Sequence, residues 1–125
     1  MKSVNLFFWA VLLSLSACIT DQGKEPNQFG AQYNLLQTSS LPSLSNDTLH
    51  IRVSYSGCSG NHAFTIRYSL KPSSTAEVWL FKETPDQPCD AYFEENRSYV
   101  LPEDVRNRQS IVLVGPYDKR FSLRP

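Results

Sequence analysis

The second half of the chain alternates apolar and polar side chains with a period of two. This alternation runs through residues 49–55 and, after a turn containing glycine and asparagine, through residues 64–70. A period of two predicts half-buried β-strands. The centre of residues 75–83 is apolar on both faces, which predicts a strand covered on both sides. Shorter strands are expected at 98–101, 110–114 and 120–123, and an irregular edge strand at 31–36.

The spacing of these segments predicts the fold class. Residues 103–107 are the only helical candidate, a single turn opened by Pro102, and residues 115–118 form a hairpin turn with glycine and proline. Six or seven strands, spaced by about ten residues, are typical of a β-sandwich or a small barrel. We therefore expect an all-β protein, a small immunoglobulin-like antiparallel β-sandwich.

Residues 1–17 have the pattern of an export signal. Lys2 precedes an apolar run from Leu6 to Ala17 that ends in small residues, and a polar stretch follows at once. A helix that crosses a bilayer needs roughly 20 apolar residues, and this run is shorter. The segment is therefore predicted to be a signal peptide.

The end of this segment is Leu15-Ser16-Ala17-Cys18, which resembles the bacterial lipobox. The resemblance implies that Cys18 becomes the mature N-terminus and carries acyl chains such as palmitate, which together anchor the protein firmly in a membrane. In a Gram-negative cell, Ile19 after the cysteine favours the outer membrane. The alternative is an ordinary secretory signal with a chance cysteine, for which Leu15 is a poor fit.

Composition gives the domain boundaries and excludes one class of partner. Residues 18–30 are mostly polar, so they are interpreted as the lipidated cysteine and a flexible tether, and residues 31–125 as the β-sandwich domain. The 12 basic and 12 acidic side chains cancel. This balance gives no sign of a nucleic-acid-binding surface, and we expect a monomer.

Two cysteines remain beyond the anchor, Cys58 and Cys89. An exported compartment is usually oxidising, and an even number of cysteines in loops favours a disulfide. Such a bond closes a loop of about 32 residues and stabilises the fold by roughly 3–4 kcal/mol.

A metal site is the alternative for these cysteines, built from Cys58, His62, Cys89 and Asp90. Sulfur, nitrogen and oxygen donors suit zinc, and two thiolates with an imidazole can hold Cu(I). A disulfide would consume both sulfurs. Cys58 and His62 are too close in sequence for a known nucleophile signature, and no hydrolase or phosphate-binding motif is present. We therefore expect no enzyme activity and no cofactor.

Aromatic side chains provide a candidate binding surface. Tyr92 and Phe93 lie beside the Cys89 loop, three and four residues after the cysteine, and can form a contact patch with Trp79 or Tyr117. Packing in the core or at its rim is the alternative.

The segment YSGCSGNHAF at 55–64, followed by DQPCDA at 86–91, resembles a pattern in small uncharacterised bacterial lipoproteins. The resemblance implies an exported β domain with a linked pair of cysteines. It implies no enzymatic activity, substrate or catalytic residue. We expect a membrane-anchored cell-envelope lipoprotein with a binding or structural role, whose partner is an envelope protein or a glycan. The alternatives are a metal-binding lipoprotein and a secreted inhibitor or adhesin-like domain without lipid.

Overall fold

The computed structural model describes residues 27–124. They form eight strands and one helical turn: β1 (Asn34–Leu36), β2 (Ser43–Ser45), β3 (Thr48–Gly57), β4 (Phe64–Leu70), β5 (Thr75–Lys82), β6 (Ala91–Val100), α1 (Glu103–Arg106), β7 (Ser110–Gly115) and β8 (Lys119–Arg124). The strands build two four-stranded sheets. The expected all-β sandwich is confirmed.

In the first sheet, β3 is the central strand. It pairs with β6 along its whole length, from Thr48 opposite Val100 to Gly57 opposite Ala91. On its other side, β1 and β2 lie end to end against its two halves. The second sheet has the order β4-β5-β7-β8. Its β5 and β7 are parallel because the chain leaves this sheet to form β6 before it returns.

The core lies between the two sheets and follows the alternation in the sequence. Every second residue of β3, β5 and β7 points inward and is buried. Val105 of α1 and Leu101, which lies just before this turn, are also buried. Burial of these apolar side chains is the main stabilising contribution to a domain of this kind. The core residues are Tyr33, Leu35, Leu49, Ile51, Val53, Tyr55, Ala76, Val78, Leu80, Leu101, Val105, Ile111 and Leu113.

Most predicted elements are confirmed, and two strands differ. The strand expected at 98–101 is wrong: β6 begins at Ala91 and ends at Val100. Its inward positions include Glu95 and Arg97. Because these two side chains are charged, β6 lacks the alternation of apolar and polar residues that predicts a strand. The three-residue strand β2 is too short to leave a pattern of its own.

The prediction that β5 is covered on both faces is confirmed only in part. Val78 and Leu80 are buried in the core, whereas Trp79 and Phe81 on the other face are half-buried. The guanidinium of Arg67 lies 3.7 Å from the centre of the Phe81 ring. Long side chains of the same sheet therefore cover this face, instead of a further layer.

The chain joins the sandwich just before the expected boundary at residue 31. The carbonyl of Phe29 accepts a hydrogen bond from the Lys82 N–H at 2.8 Å, and the Ala31 N–H donates to the Lys82 carbonyl at 3.2 Å. The predicted signal peptide, Cys18 and the tether up to residue 26 lie outside the described residues. Within residues 27–124, no helix has the length and apolar character needed to cross a bilayer.

Candidate functional site

A disulfide joins Cys58 and Cys89, as the sequence predicts. Cys58 directly follows the end of β3, and Cys89 lies two residues before β6 begins. The last paired residues of these strands are Gly57 and Ala91. The bond therefore closes one end of the first sheet and fixes the loop between β5 and β6.

The side chain of Gln87 binds this loop to the backbone of Cys58 and Ser59. Its Oε1 accepts hydrogen bonds from the Cys58 N–H at 2.7 Å and the Ser59 N–H at 3.4 Å. The same oxygen lies 3.1 Å from His62 Nε2, which donates to it. Gly57 makes this approach possible, since a Cβ there would lie 2.7 Å from the Gln87 oxygen.

His62 is part of the domain interior and does not present a ligand to solvent. Its side chain is 2% exposed and stacks on Tyr55 with ring centres 4.2 Å apart. Both sulfurs of Cys58 and Cys89 are consumed by their bond, so neither can act as a thiolate ligand. In the part of the chain that the structure describes, no three metal-ligating side chains lie close enough together to hold an ion. The arrangement gives the metal alternative no support.

A polar cluster of Tyr55, Glu95, Arg97 and the backbone of residues 61–62 lies beneath the disulfide loop. The Glu95 carboxylate accepts from the Tyr55 hydroxyl, from the Asn61 N–H at 2.9 Å and from Arg97 Nε at 3.0 Å. Arg97 also donates to the His62 carbonyl at 2.7 Å. The cluster joins β3, β6 and the loop between β3 and β4.

The charges in this cluster are set by their partners. Partial burial raises the pKa of Glu95, but hydrogen bonds from Tyr55, Asn61 and Arg97 outweigh it, so the pKa lies below the ordinary value of 4.5. Burial raises the pKa of Tyr55, and its bond to Glu95 raises it further. Both carboxylate oxygens of Glu95 already accept donors of the domain, so we assign this cluster to folding stability.

A groove of about 260 Å³ opens beside the disulfide. Its walls are formed by the segment that leads into β1, the last residues of β3 and the loop between β5 and β6. Asp86 holds the first and third of these together, because its Oδ1 accepts from the Gln32 N–H at 3.0 Å. The exposed polar side chains in the lining include Gln32, Asn34, Ser56, Asp86 and Asp90.

Two exposed tyrosines line this groove. Tyr92 is 61% exposed at the start of β6, and Tyr117 is 70% exposed at the turn between β7 and β8. Tyr117 and Asp118 have φ of 63° and 60°, a left-handed conformation that is uncommon for tyrosine. A second hollow of about 190 Å³ continues from the groove along Tyr117 towards Phe29.

The structure therefore brings together two of the four aromatic residues that the sequence proposes as a patch. Trp79 lies on the outer face of the second sheet, among the side chains of β5 and its neighbours. Phe93 packs against the core and stacks on Tyr55 with ring centres 5.6 Å apart. Both serve packing, while Tyr92 and Tyr117 remain available to a ligand.

Of the polar residues in the groove, the sequence patterns single out only Asp90, as a candidate metal ligand, and miss the others. Gln32 and Asn34 belong to a short segment without a strong pattern, and Gln87 resembles any loop glutamine. Only the close approach that Gly57 allows distinguishes Gln87, and a glycine at a strand end is a weak signal. Comparison of the chain with protein-family models, curated proteins and solved structures gives no match. The resemblance to small bacterial lipoproteins stays a prediction.

Proposed function

We propose that this chain is a lipid-anchored protein of the bacterial cell envelope whose β-sandwich binds a glycan in the groove beside the disulfide. The observation that carries the proposal is the convergence of two exposed tyrosines, Tyr92 and Tyr117, on one polar groove. Aromatic side chains beside a few convergent polar groups are a recurrent feature of ligand-binding sites.

The chemistry of the lining favours a polyhydroxylated ligand. The amides of Gln32 and Asn34 and the hydroxyl of Ser56 can both donate and accept hydrogen bonds, and the carboxylate of Asp90 accepts. A sugar presents hydroxyls to such groups and a flat C–H face to the ring of a tyrosine. The groove is too polar for a lipid chain, whose binding would leave these groups without partners.

The groove is held in shape before any ligand arrives. The disulfide, the bonds to Gln87 Oε1 and the bond from the Gln32 N–H to Asp86 fix three of its walls. Pre-organised walls reduce the entropy that binding costs. This rigidity supports a role in binding.

The predicted lipid anchor would hold the domain close to a membrane. Residues 18–28 connect the predicted acylated Cys18 to the point where Phe29 joins the sandwich, and such a length of chain spans at most about 40 Å. The groove begins at Gln32, close to this entry point. An anchored domain would therefore meet the envelope glycans that lie near the membrane.

The test is a pair of tyrosine variants, titrated with soluble glycan strands released from peptidoglycan. Tyr117→Ala is expected to weaken binding about tenfold or more, as truncation of an aromatic anchor does. Tyr68→Ala is the matched control: Tyr68 is 39% exposed on β4 and does not line the groove. Its affinity should stay at the wild-type value.

Two results would contradict the proposal. One is a folded wild-type protein that shows no saturable binding of these strands by calorimetry. The other is an equal loss of affinity in the Tyr117→Ala and Tyr68→Ala variants.

A further inference from the structure

We infer that a second copy of this chain pairs with the outer edge of β6, in one antiparallel register. β6 is ten residues long and pairs with β3 on one side only. No strand of residues 27–124 pairs with its other side. A long edge strand exposes unpaired backbone N–H and C=O groups, and these readily accept another strand.

The two ends of β6 carry large apolar side chains on the outer face of the sheet. Tyr92 is 61% exposed and Val100 is 64% exposed. Between them the same face carries only polar side chains, Glu94, Asn96 and Ser98. Within one copy, Tyr92 and Val100 are about 26 Å apart along the strand and cannot cover each other.

A second copy brings these two ends together. When Asn96 lies opposite Asn96 of the second copy, Tyr92 lies opposite Val100 of the second copy, and this pair occurs twice. Residues directly opposite in an antiparallel pair share a face and contact each other. Both exposed apolar side chains of β6 therefore gain an apolar neighbour.

The inner face of β6 is complementary in the same register. Glu95 lies opposite Arg97 of the second copy, so the two intramolecular Glu95–Arg97 pairs join into a cluster of alternating charge. Phe93 lies opposite Tyr99 of the second copy, an aromatic pair of the kind that stabilises sheets.

The two neighbouring registers that keep the faces aligned are unfavourable. A two-fold axis at Glu95 places two glutamates opposite each other, and an axis at Arg97 places two arginines opposite each other. Like charges directly opposite destabilise a sheet. The charge pattern of β6 thus selects the register centred on Asn96.

The proposed assembly differs from the monomer expected from the sequence. It does not require a glycan in the groove, although Tyr92 belongs to both surfaces: it lines the groove and lies opposite Val100 of the second copy. Anchoring both copies in one membrane would raise their effective concentration and favour pairing beyond that in dilute solution.

Single cysteines in the full chain, expressed with its own signal and kept in membranes, test the register. Asn96→Cys places two thiols across the two-fold axis, within reach of a disulfide. Ser98→Cys is the matched control on the same face, because its counterpart in the second copy lies about 13 Å away. We expect mild oxidation to convert Asn96→Cys into a covalent dimer at least about fivefold more than Ser98→Cys.

A pair of charge substitutions, with cross-linking of Asn96→Cys as the readout, tests the contact between Tyr92 and Val100 of the second copy. Adding Val100→Lys to the Asn96→Cys protein should reduce cross-linking several-fold, and adding Tyr92→Glu to that variant should restore it. Peptide mapping of the native Cys58–Cys89 bond confirms folding in each case.

The inference is overturned if Asn96→Cys and Ser98→Cys cross-link equally. It is also overturned if Asn96→Cys stays monomeric with its native disulfide intact, as it would if another protein's strand occupied the edge.

Discussion

Replacing both Cys58 and Cys89 with alanine is expected to lower the free energy of unfolding by about 3–4 kcal/mol. The two residues are 31 apart in sequence, and a cross-link of this span removes much of the freedom of the unfolded chain. A domain of this size has only about 5–15 kcal/mol of stability in total. The loss would therefore shift the denaturation midpoint strongly. Urea denaturation of both proteins measures the difference.

Ser59→Ala is the control for this change, since Ser59 lies in the same exposed loop and only its backbone N–H bonds to Gln87. Its midpoint should match the wild type. Reduction of the wild-type protein should reproduce the loss seen in the double variant. A double variant within about 1 kcal/mol of wild type would show that the closed loop contributes little, contrary to the loop-entropy argument.

Glu95→Ala is expected to destabilise the domain by about 2–4 kcal/mol, because it removes the acceptor of the Tyr55 hydroxyl and of the Asn61 N–H and the charged partner of Arg97. Loss of a partner from a partly buried, hydrogen-bonded charged cluster costs more than loss of an exposed ion pair. Denaturation at pH 7 measures this effect.

The same residue sets part of the pH dependence. The pKa of Glu95 is lower in the folded protein than its ordinary value of 4.5, because its hydrogen bonds outweigh the effect of burial. Its contribution is therefore complete above about pH 5 and is lost as the pH falls through the lowered value. The pKa of Glu77 is lowered by Arg120, so Glu95→Ala should weaken the acid-induced loss of stability without abolishing it.

Glu94→Ala is the matched control, because Glu94 is the neighbouring glutamate on the outer face of β6 and pairs with Arg52 at 2.9 Å. Its unfolding midpoint at pH 7 should stay close to that of the wild type. If Glu94→Ala and Glu95→Ala had equal effects, the inward cluster would not be the source of the stability.

The sequence predicts the sandwich well because apolar side chains alternate wherever one face of a strand is buried. It fails for β6, whose inward face carries Glu95 and Arg97. Those charges are accommodated only because Tyr55 and the backbone at Asn61 and His62 supply partners. Such partners come from distant parts of the chain, so a local pattern cannot reveal them.

The candidate site also has one feature that the sequence predicts and one that it does not. The Cys58–Cys89 bond is expected because two cysteines remain beside Cys18 in a chain that is predicted to be exported. Which aromatic residues stay exposed depends on how each strand is oriented in the sandwich. Phe93 and Tyr92 are neighbours in sequence, yet one packs in the interior and the other lines the groove. That assignment requires the register of β6 against β3.

The intact mass of the protein, extracted from membranes in detergent, tests the central claim that this is a lipid-anchored domain closed by a disulfide. The account predicts a chain that begins at Cys18, carries acyl chains, and lacks the two hydrogens removed by the Cys58–Cys89 bond, with no thiol open to alkylation. A chain cut elsewhere with an unmodified Cys18, or free thiols that carry a stoichiometric metal, would contradict it.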